Sequence, residues 1–127
     1  MMRLDGAEIP FIAVVDDDED VRSAVHAVLK SDGFRPLAFA SVLEFLRCGK
    51  RRETACLIVD LEMPGLSGLD LQARLAEDGE RIPIIFITAY GNERTRTRAM
   101  NAGALDFLEK PFKDEVLLER VRTAVGT

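Results

Sequence analysis

The sequence predicts a three-layer α/β fold in which a parallel sheet of five strands lies between two layers of helices. Five short segments rich in apolar residues alternate along the chain with segments whose apolar residues have helical spacing. Strands that are separated by helices need crossover connections, which make the sheet parallel and place helices on both of its faces. The first apolar segment, PFIAVV, has no polar face, as expected for a strand that is covered on both sides.

The five predicted strands are short. They cover residues 10–15, 35–40, 55–59, 83–88 and 104–110. Pro36 places the second strand at or near an edge of the sheet, because proline cannot donate a hydrogen bond to a central ladder. The fifth segment, ALDFLEK, is less apolar than the first.

A segment that predicts a helix follows each strand. The first helix carries apolar residues at i, i+3, i+4, i+7 and i+8, namely Val21, Ala24, Val25, Val28 and Leu29. Gly33 is placed to end that helix, since glycine is favoured directly after helix C-termini. Ser41 and Glu44 have the spacing of a capping box and therefore predict the start of a short second helix.

The last three helices are predicted from their first residues. Ser67 caps the third helix, Asn92 opens an arginine-rich fourth helix, and Asp114 caps the fifth. Gly65 and Gly68 lie in the loop LEMPGLSG after the third strand, and we expect them to serve turn geometry.

Length and composition indicate one domain of 127 residues. A net charge of −5 argues against direct binding of nucleic acid, which needs a basic surface. Cys48 and Cys56 lack the spacing of zinc ligands, and we expect reduced thiols in a cytoplasmic protein. No apolar segment approaches the ~18 residues of a membrane span, and MMRLDGAEIP does not resemble a secretory signal.

Charged and polar residues follow the predicted strands at the end where each strand finishes. The acidic run DDDED (16–20) follows the first strand, Asp60 follows the third, Thr88 ends the fourth, and Lys110 ends the fifth. Functional sites in open parallel sheets lie at the carboxyl ends of the strands. We therefore expect these side chains to converge, although they are far apart in the sequence.

The acidic run predicts a site for a divalent cation. Two like charges about 4 Å apart at a protein surface repel by roughly 4 kcal/mol, so a compensating cation is expected. Carboxylate oxygens at a wet site suit Mg²⁺. Asp16 and Asp17 are the natural pair because the strand ends at Val15, whereas Asp18 and Glu19 are expected to begin the helix, where the macrodipole favours anions. Asp18 remains an alternative ligand.

The same pocket contains the groups that phosphoryl transfer requires. An aspartate can accept a phosphoryl group and form an aspartyl phosphate. Lys110 can pair with the added negative charge, and the hydroxyl of Thr88 can donate to it. A metal ion and a lysine together would neutralise charge on the transferring oxygens, which is most of what this reaction asks of a protein.

Four motifs resemble the receiver domain of bacterial two-component response regulators. They are VVDDD (14–18), IVDLEMPGLSG (58–68), ITAYG (87–91) and DFLEKPF (106–112). The resemblance extends over nearly the whole chain, and it places the core of the domain at about residues 11–126. It is closest to receivers attached to helix-turn-helix transcription factors. It implies a flavodoxin-like (βα)5 fold with strand order 2-1-3-4-5, and an output domain that lies outside this chain.

The resemblance implies a phosphoacceptor and a metal site. Asp60 would take the phosphoryl group from the phosphohistidine of a sensor histidine kinase. Asp16, Asp17 and Asp60, together with the backbone carbonyl of Glu62, would hold Mg²⁺. The domain would then switch conformation to control an output, which we expect to be transcription.

The resemblance also implies the parts of a switch. Thr88 matches the switch hydroxyl, Lys110 matches the family's lysine, and Phe107 matches the switch aromatic. The Lys110–Pro111 peptide bond would be cis. The domain would not be an enzyme beyond accepting its own phosphoryl group and hydrolysing it, a reset that Glu62 and Tyr90 are expected to tune.

The arginine run on the fourth helix has two interpretations. Arg94, Arg96 and Arg98 can form a solvated face, of which Arg94 and Arg98 share one side. In receivers, the surface made by helix 4, strand 5 and helix 5 can instead support a phosphorylation-dependent homodimer. Binding to DNA would require the output domain, and no membrane partner is expected.

Two other functions are compatible with parts of the sequence. The D-x-D in VVDDD is also typical of haloacid-dehalogenase-like phosphatases, in which Asp16 would be the nucleophile. A receiver that acts only as a phosphorylation-independent interaction module is the other alternative. The complete set of Asp16, Asp17, Asp60, Thr88 and Lys110 favours the phosphoacceptor.

Overall fold

A five-stranded sheet forms the centre of the computed structural model, which describes residues 11–63 and 65–126. The strands are β1 (Phe11–Val15), β2 (Arg35–Phe39), β3 (Thr54–Asp60), β4 (Ile84–Thr88) and β5 (Asp106–Glu109). Every pairing is parallel, and the order is β2-β1-β3-β4-β5. The predicted flavodoxin-like fold and strand order are confirmed, with β2 at an edge. The predicted position 10 of the first strand lies outside the described residues.

Five helices connect and cover the strands. They are α1 (Glu19–Ser31), α2 (Val42–Arg47), α3 (Gly68–Glu77), α4 (Glu93–Asn101) and α5 (Asp114–Val125). A short 3₁₀ turn, which the sequence patterns did not predict, covers Arg51–Glu53 before β3. Among the described helices, none combines the length and the apolar character that a membrane crossing needs.

Alternate residues of each strand pack against opposite layers of helices. In β1, Ala13 and Val15 belong to the core shared with α2, α3 and α4, whereas Ile12 and Val14 belong to the core shared with α1 and α5. All four side chains are completely buried. The strand is therefore apolar on both faces because helices exclude water from both sides of the sheet.

Side-chain caps begin α1, α3 and α4 where the sequence predicted. Asp18 accepts a hydrogen bond from the N–H of Asp20 at 2.9 Å. Ser67 and Asp70 form a complete capping box at the start of α3. The side chain of Asn92 accepts from a backbone N–H in the first turn of α4. These caps satisfy N–H groups that have no partner within their own helix.

Ser41 caps α2 as predicted, but the predicted capping box is not complete, and the predicted cap of α5 is wrong. Ser41 accepts from the N–H of Glu44 at 3.1 Å, but the carboxylate of Glu44 binds the N–H of Ala40 at 2.9 Å, so the reciprocal box is not closed. Glutamate is one methylene longer than the aspartate that closes the box in α3, and here it binds one residue further back. Asp114 is the first residue of α5, not its cap, because Lys113 occupies the cap position with an extended backbone.

Glycines serve two different purposes in this fold. Gly33 and Gly65 have φ angles of +88° and +78°, a region that favours glycine, as the sequence predicted. The turn role predicted for Gly68 is wrong, because this residue begins α3 and packs against the sheet. A Cβ atom there would lie 2.8 Å from the ring of Phe86 and 3.0 Å from Val59. Gly68 therefore allows α3 to approach β3 and β4 closely.

Candidate functional site

The predicted site residues converge at the carboxyl edge of the sheet. Asp16 follows β1, Asp60 ends β3, Thr88 ends β4, and Lys110 follows β5. Asp16 and Thr88 are completely buried, and Asp60 is 3% exposed. Such burial is unusual for carboxylates unless they are paired with other groups. The arrangement therefore depends on the partners that these side chains find at the sheet edge.

Lys110 joins the two buried carboxylates. Its Nζ atom donates to Oδ2 of Asp16 at 3.1 Å and to Oδ2 of Asp60 at 3.3 Å. The backbone N–H of Lys110 donates to the carbonyl of Thr88 at 2.7 Å, which fixes the point from which the side chain extends. Hydrogen bonds in which both groups are charged are stronger than neutral ones. One cation thus compensates part of the charge of two acids.

Backbone groups hold both carboxylates in place. The Oδ1 atom of Asp16 accepts from the N–H of Asp18 at 2.9 Å, and Oδ1 of Asp60 accepts from the N–H of Glu62 at 3.0 Å. The guanidinium of Arg22 donates to the carbonyl of Asp16 at 2.7 Å. Each carboxylate is therefore oriented by the chain that follows its own strand.

Three carboxylates at this edge are suited to hold a divalent cation. Asp16, Asp17 and Asp60 each offer an oxygen atom, and these atoms lie within 4.8 Å of one another. Asp17 is exposed, which leaves one side of the cluster open to solvent. Three carboxylate oxygens beside open water are the donor set that Mg²⁺ prefers, so these residues fit that ion. Asp18 uses its side chain to cap α1 and does not belong to the cluster.

The environment of the site changes the acidity of Asp60 and Lys110. Burial raises the pKa of Asp60 to about 6 and the nearby charge of Asp16 adds to this effect, although the N–H of Glu62 and the ammonium of Lys110 oppose it. Burial alone would lower the pKa of Lys110, but its hydrogen bonds and charge pairs with the two aspartates outweigh burial and raise it. The lysine therefore stays cationic, and the charge on Asp60 is costly without a further cation.

A second polar cluster links the loops that follow β3 and β4. The hydroxyl of Thr88 donates to Oε2 of Glu62, and the N–H of Ala89 donates to Oε1 at 2.9 Å. The N–H of Tyr90 donates to Oγ1 of Thr88 at 3.1 Å. From the sequence, Glu62 was expected to offer its backbone carbonyl to a metal and to lie beside the pocket, but this role of its side chain was not predicted. The only available signal was an acid two positions after Asp60.

The remaining candidates lie in the core, in the loop after β5 and at the surface around α4. Phe107 is 5% exposed and pairs in register with Phe86 of β4, within the core shared with α2, α3 and α4. The Lys110–Pro111 peptide bond is cis, as predicted. Tyr90 is 80% exposed and extends from the loop before α4. Arginines of α4 are exposed as well, namely Arg94, Arg96 and Arg98.

The family model described as the response regulator receiver domain matches residues 12–122. This chain belongs to the receiver domain family of two-component response regulators. Receiver domains are signalling modules that interact with histidine kinases, and they are not generally enzymes. The match extends over all five strands and supports the receiver over the haloacid-dehalogenase-like alternative with Asp16 as nucleophile.

Curated relatives and solved structures agree with this assignment. The receiver domain is 46% identical over 114 residues to the response regulator protein TmoT of Ectopseudomonas mendocina, covering 90% of this chain and 52% of the relative. It is 36% identical over 115 residues to the transcriptional regulatory protein FixJ of Azorhizobium caulinodans, covering 91% of this chain and 54% of the relative. The crystal structure of FixJ-N matches with a TM-score of 0.84 and 36% identity, over 94% of this chain and 96% of that one. This chain thus spans about half the length of the curated relatives.

Proposed function

We propose that Asp60 is the residue of this receiver that accepts the phosphoryl group. The observation that carries the proposal is the position of its carboxylate, which is shared between the ammonium of Lys110 and the acidic cluster of Asp16 and Asp17. The Oδ1 atom is oriented by the N–H of Glu62, and the Oδ2 atom is bound by Lys110. The groups that stabilise the negative charge of this carboxylate can also stabilise the phosphoryl group after it is transferred.

The step forms one bond and breaks one. A carboxylate oxygen of Asp60 attacks the phosphorus atom of a phosphohistidine and forms an acyl phosphate, and the P–N bond breaks. The electron pair of that bond stays on the imidazole nitrogen, and the kinase histidine leaves as a neutral ring when the other ring nitrogen of the phosphohistidine already carries a proton. No proton has to be removed from Asp60, because its ionised form is the nucleophile.

The surrounding side chains bind the charge that the transfer adds. Lys110 supplies a fixed cation beside Oδ2 of Asp60, and Thr88 supplies a buried hydroxyl at the neighbouring strand end. Asp16, Asp17, Asp60 and the backbone carbonyl of Glu62 would hold Mg²⁺, which when bound neutralises charge on the transferring phosphoryl oxygens. The residues of this chain orient the carboxylate of Asp60 and exclude water from its buried side.

The phosphorylated state resets by hydrolysis of the acyl phosphate within the same domain. Water adds to phosphorus, the P–O bond to Asp60 breaks, and the carboxylate and inorganic phosphate are restored. Glu62 and Tyr90 lie beside Thr88 and control the approach of water from the open side. Thr88 ends β4, and Phe107 of β5 pairs in register with Phe86 of the same strand. Because both residues are connected through β4, they act together as the switch.

The output of the phosphorylated receiver is a change in its surface around α4. Ala99 is the only described residue of α4 that is buried, so this helix is held by few core contacts. The exposed arginines and the neighbouring β5 and α5 surfaces form a face suited to a second copy of the chain. Light scattering with and without a phosphoryl mimic tests this, and equal masses in both states would contradict it.

The whole protein is proposed to control transcription through a part outside this chain. The relative FixJ is a transcriptional regulatory protein, and this chain covers 54% of it. Binding of DNA would belong to that further part, since the receiver itself carries a net charge of −5. The cytoplasmic location predicted from the sequence stays a prediction, and fractionation of cells that express the whole protein tests it.

Chemical mapping of the acceptor tests the function directly. The protein is incubated with Mg²⁺ and acetyl phosphate and then reduced with borohydride, which converts an acyl phosphate to an alcohol. Peptide mass mapping should place the resulting homoserine at position 60 in the wild type. Modification at position 16 would instead support the phosphatase-like chemistry, and the absence of modification would support an interaction module.

A further inference from the structure

We propose that Glu62 is an internal competitor of the phosphoryl group, because its carboxylate occupies the donors that Thr88 and Ala89 offer to an anion. The inference rests on the proposed phosphorylation of Asp60 and deepens it. It assigns to one residue the task of keeping the site closed until a stronger anion arrives.

Both oxygens of the Glu62 carboxylate are engaged. The hydroxyl of Thr88 donates to one oxygen, and the N–H of Ala89 donates to the other at 2.9 Å. The hydroxyl of Thr88 accepts at the same time from the N–H of Tyr90 at 3.1 Å. The bond from Tyr90 uses a lone pair of Oγ1, so the single hydroxyl proton of Thr88 can be donated to an anion. Two donors converging on two carboxylate oxygens form a small anion-binding site.

The competing anion would arrive at the same place. Glu62 donates its own N–H to Oδ1 of Asp60 at 3.0 Å, so its side chain extends from the point where the acceptor is held. Asp60 pairs in register with Ile87, which directly precedes Thr88. A phosphoryl group on Asp60 adds anionic oxygens beside these donors. Because Thr88 has one hydroxyl proton, it cannot serve the phosphoryl group and Glu62 together.

Contact and charge make separate contributions to this competition. The negative charge of Glu62 repels an incoming anion whether or not it touches Thr88. The contact weakens binding further, because the ligand can bind only while the carboxylate of Glu62 is away from Thr88. The apparent affinity therefore falls in proportion to the fraction of time that the site is open. A site that is open about one tenth of the time weakens apparent binding about tenfold. The contact between Glu62 and Thr88 is what makes Glu62 a competitor, beyond the repulsion that its charge causes.

A purely structural role for the contact predicts a different behaviour. Glu62 is an exposed residue, so shortening its side chain opens no cavity in the core. Thr88 is completely buried, and its hydroxyl proton needs an acceptor when Glu62 leaves. An anion bound at Asp60 supplies that acceptor. Loss of the Glu62 contact should therefore increase the affinity of the site for anions. A purely structural contact would only make the loop after β3 more mobile when it is lost.

The test measures binding of beryllofluoride, a phosphoryl mimic, in the presence of Mg²⁺. The wild type is compared with Glu62→Asp, which keeps the charge but is one methylene shorter, and with Glu62→Gln, which keeps the shape but removes the charge. The amide signal of Ala89 in ¹H–¹⁵N spectra reports both the contact before titration and the bound state after it. Glu77→Asp, a change of the same type at an exposed position at the end of α3, is the matched control.

We expect both substitutions at Glu62 to tighten binding, and Glu62→Asp to do so by about tenfold if the site is closed about nine tenths of the time. The Ala89 signal should also move in the free Glu62→Asp protein, because its acceptor is lost. Tighter binding in Glu62→Gln alone would assign the effect to charge and overturn the proposal. An unmoved Ala89 signal, or unchanged affinity in both variants, would overturn it as well.

The wild type and Asp60→Asn separate this inference from the function on which it rests. Binding that needs Mg²⁺ and is absent in Asp60→Asn supports the phosphoacceptor whatever the Glu62 variants do. If the wild type itself does not bind the mimic, the proposed function fails and the competitor fails with it.

Discussion

The ammonium of Lys110 lies 3.3 Å from Oδ2 of Asp60, although fifty positions separate the two residues in the sequence. The same ammonium also binds Asp16, which is completely buried. Removing the lysine leaves two acids close together without their cation, and breaking a buried ion pair is more costly than never forming it. The stability of the metal-free fold should therefore depend on Lys110.

Lys110→Met tests this dependence. We expect the free energy of unfolding at neutral pH to fall by about 2 kcal/mol, less than for a fully buried pair because Lys110 is partly exposed. Urea denaturation measures the change, and added Mg²⁺ should recover part of it by replacing the lost positive charge. Lys113→Met, at an exposed position with no side-chain cap hydrogen bond, is the control. Equal stability of both variants would contradict the account.

The raised pKa of Asp60 predicts how stability varies with pH in the absence of metal. Its folded pKa of about 6 lies above the ordinary value of 3.8, so the folded state binds this proton more tightly than the unfolded chain does. The contribution is fully present below the ordinary pKa and is lost as pH rises through the folded pKa. The wild type should therefore lose stability relative to Asp60→Asn between about pH 4 and about pH 6.

The same linkage predicts that Mg²⁺ stabilises the wild type more above this pH window than below it. The ion binds ionised carboxylates, so protonation of Asp60 competes with it. Thermal unfolding with and without Mg²⁺ on both sides of the window gives the measurement. An equal increase in Tm at each pH would show that Asp60 is not among the groups that bind the ion.

The two cysteines should react very differently with thiol reagents. Burial raises the pKa of Cys56 to about 12, and this side chain is completely buried in the core beside α1 and α5. The thiolate is the reactive form, so Cys56 should be protected in the native state. Cys48 is partly exposed after α2. Alkylation of the folded protein, followed by peptide mapping, should label Cys48 first and Cys56 only after denaturant is added. Equal labelling of both would contradict the packing of β3.

The sequence predicted that the candidate side chains converge, because topology decides most of their placement. Asp60 and Lys110 each end an apolar segment, and parallel strands must bring such ends to one edge of the sheet. The strand order and the convergence of these residues therefore followed from the apolar segments together with the family resemblance. Side-chain rotamers are not decided in this way. The contact of Glu62 with Thr88 depends on how two loops approach each other, and residue type alone does not contain that information.

Local details were missed where two roles share one sequence signal. Gly68 in a loop-like segment predicted a turn, but the structure uses it to bring α3 within contact of Phe86. Asp114 before an apolar stretch predicted a cap, but the helix begins one residue earlier than that role requires. In both cases the residue type was compatible with either role, and packing against the neighbouring element decided between them.

Intact-mass spectrometry would show whether Asp60 carries the phosphoryl group. The wild type, Asp60→Asn and Asp16→Asn are incubated with acetyl phosphate, each with and without Mg²⁺. We expect one phosphoryl adduct on the wild type that needs Mg²⁺ and is absent from Asp60→Asn. An adduct that persists in Asp60→Asn and disappears only in Asp16→Asn would contradict it, because the acceptor would then be the residue that follows β1.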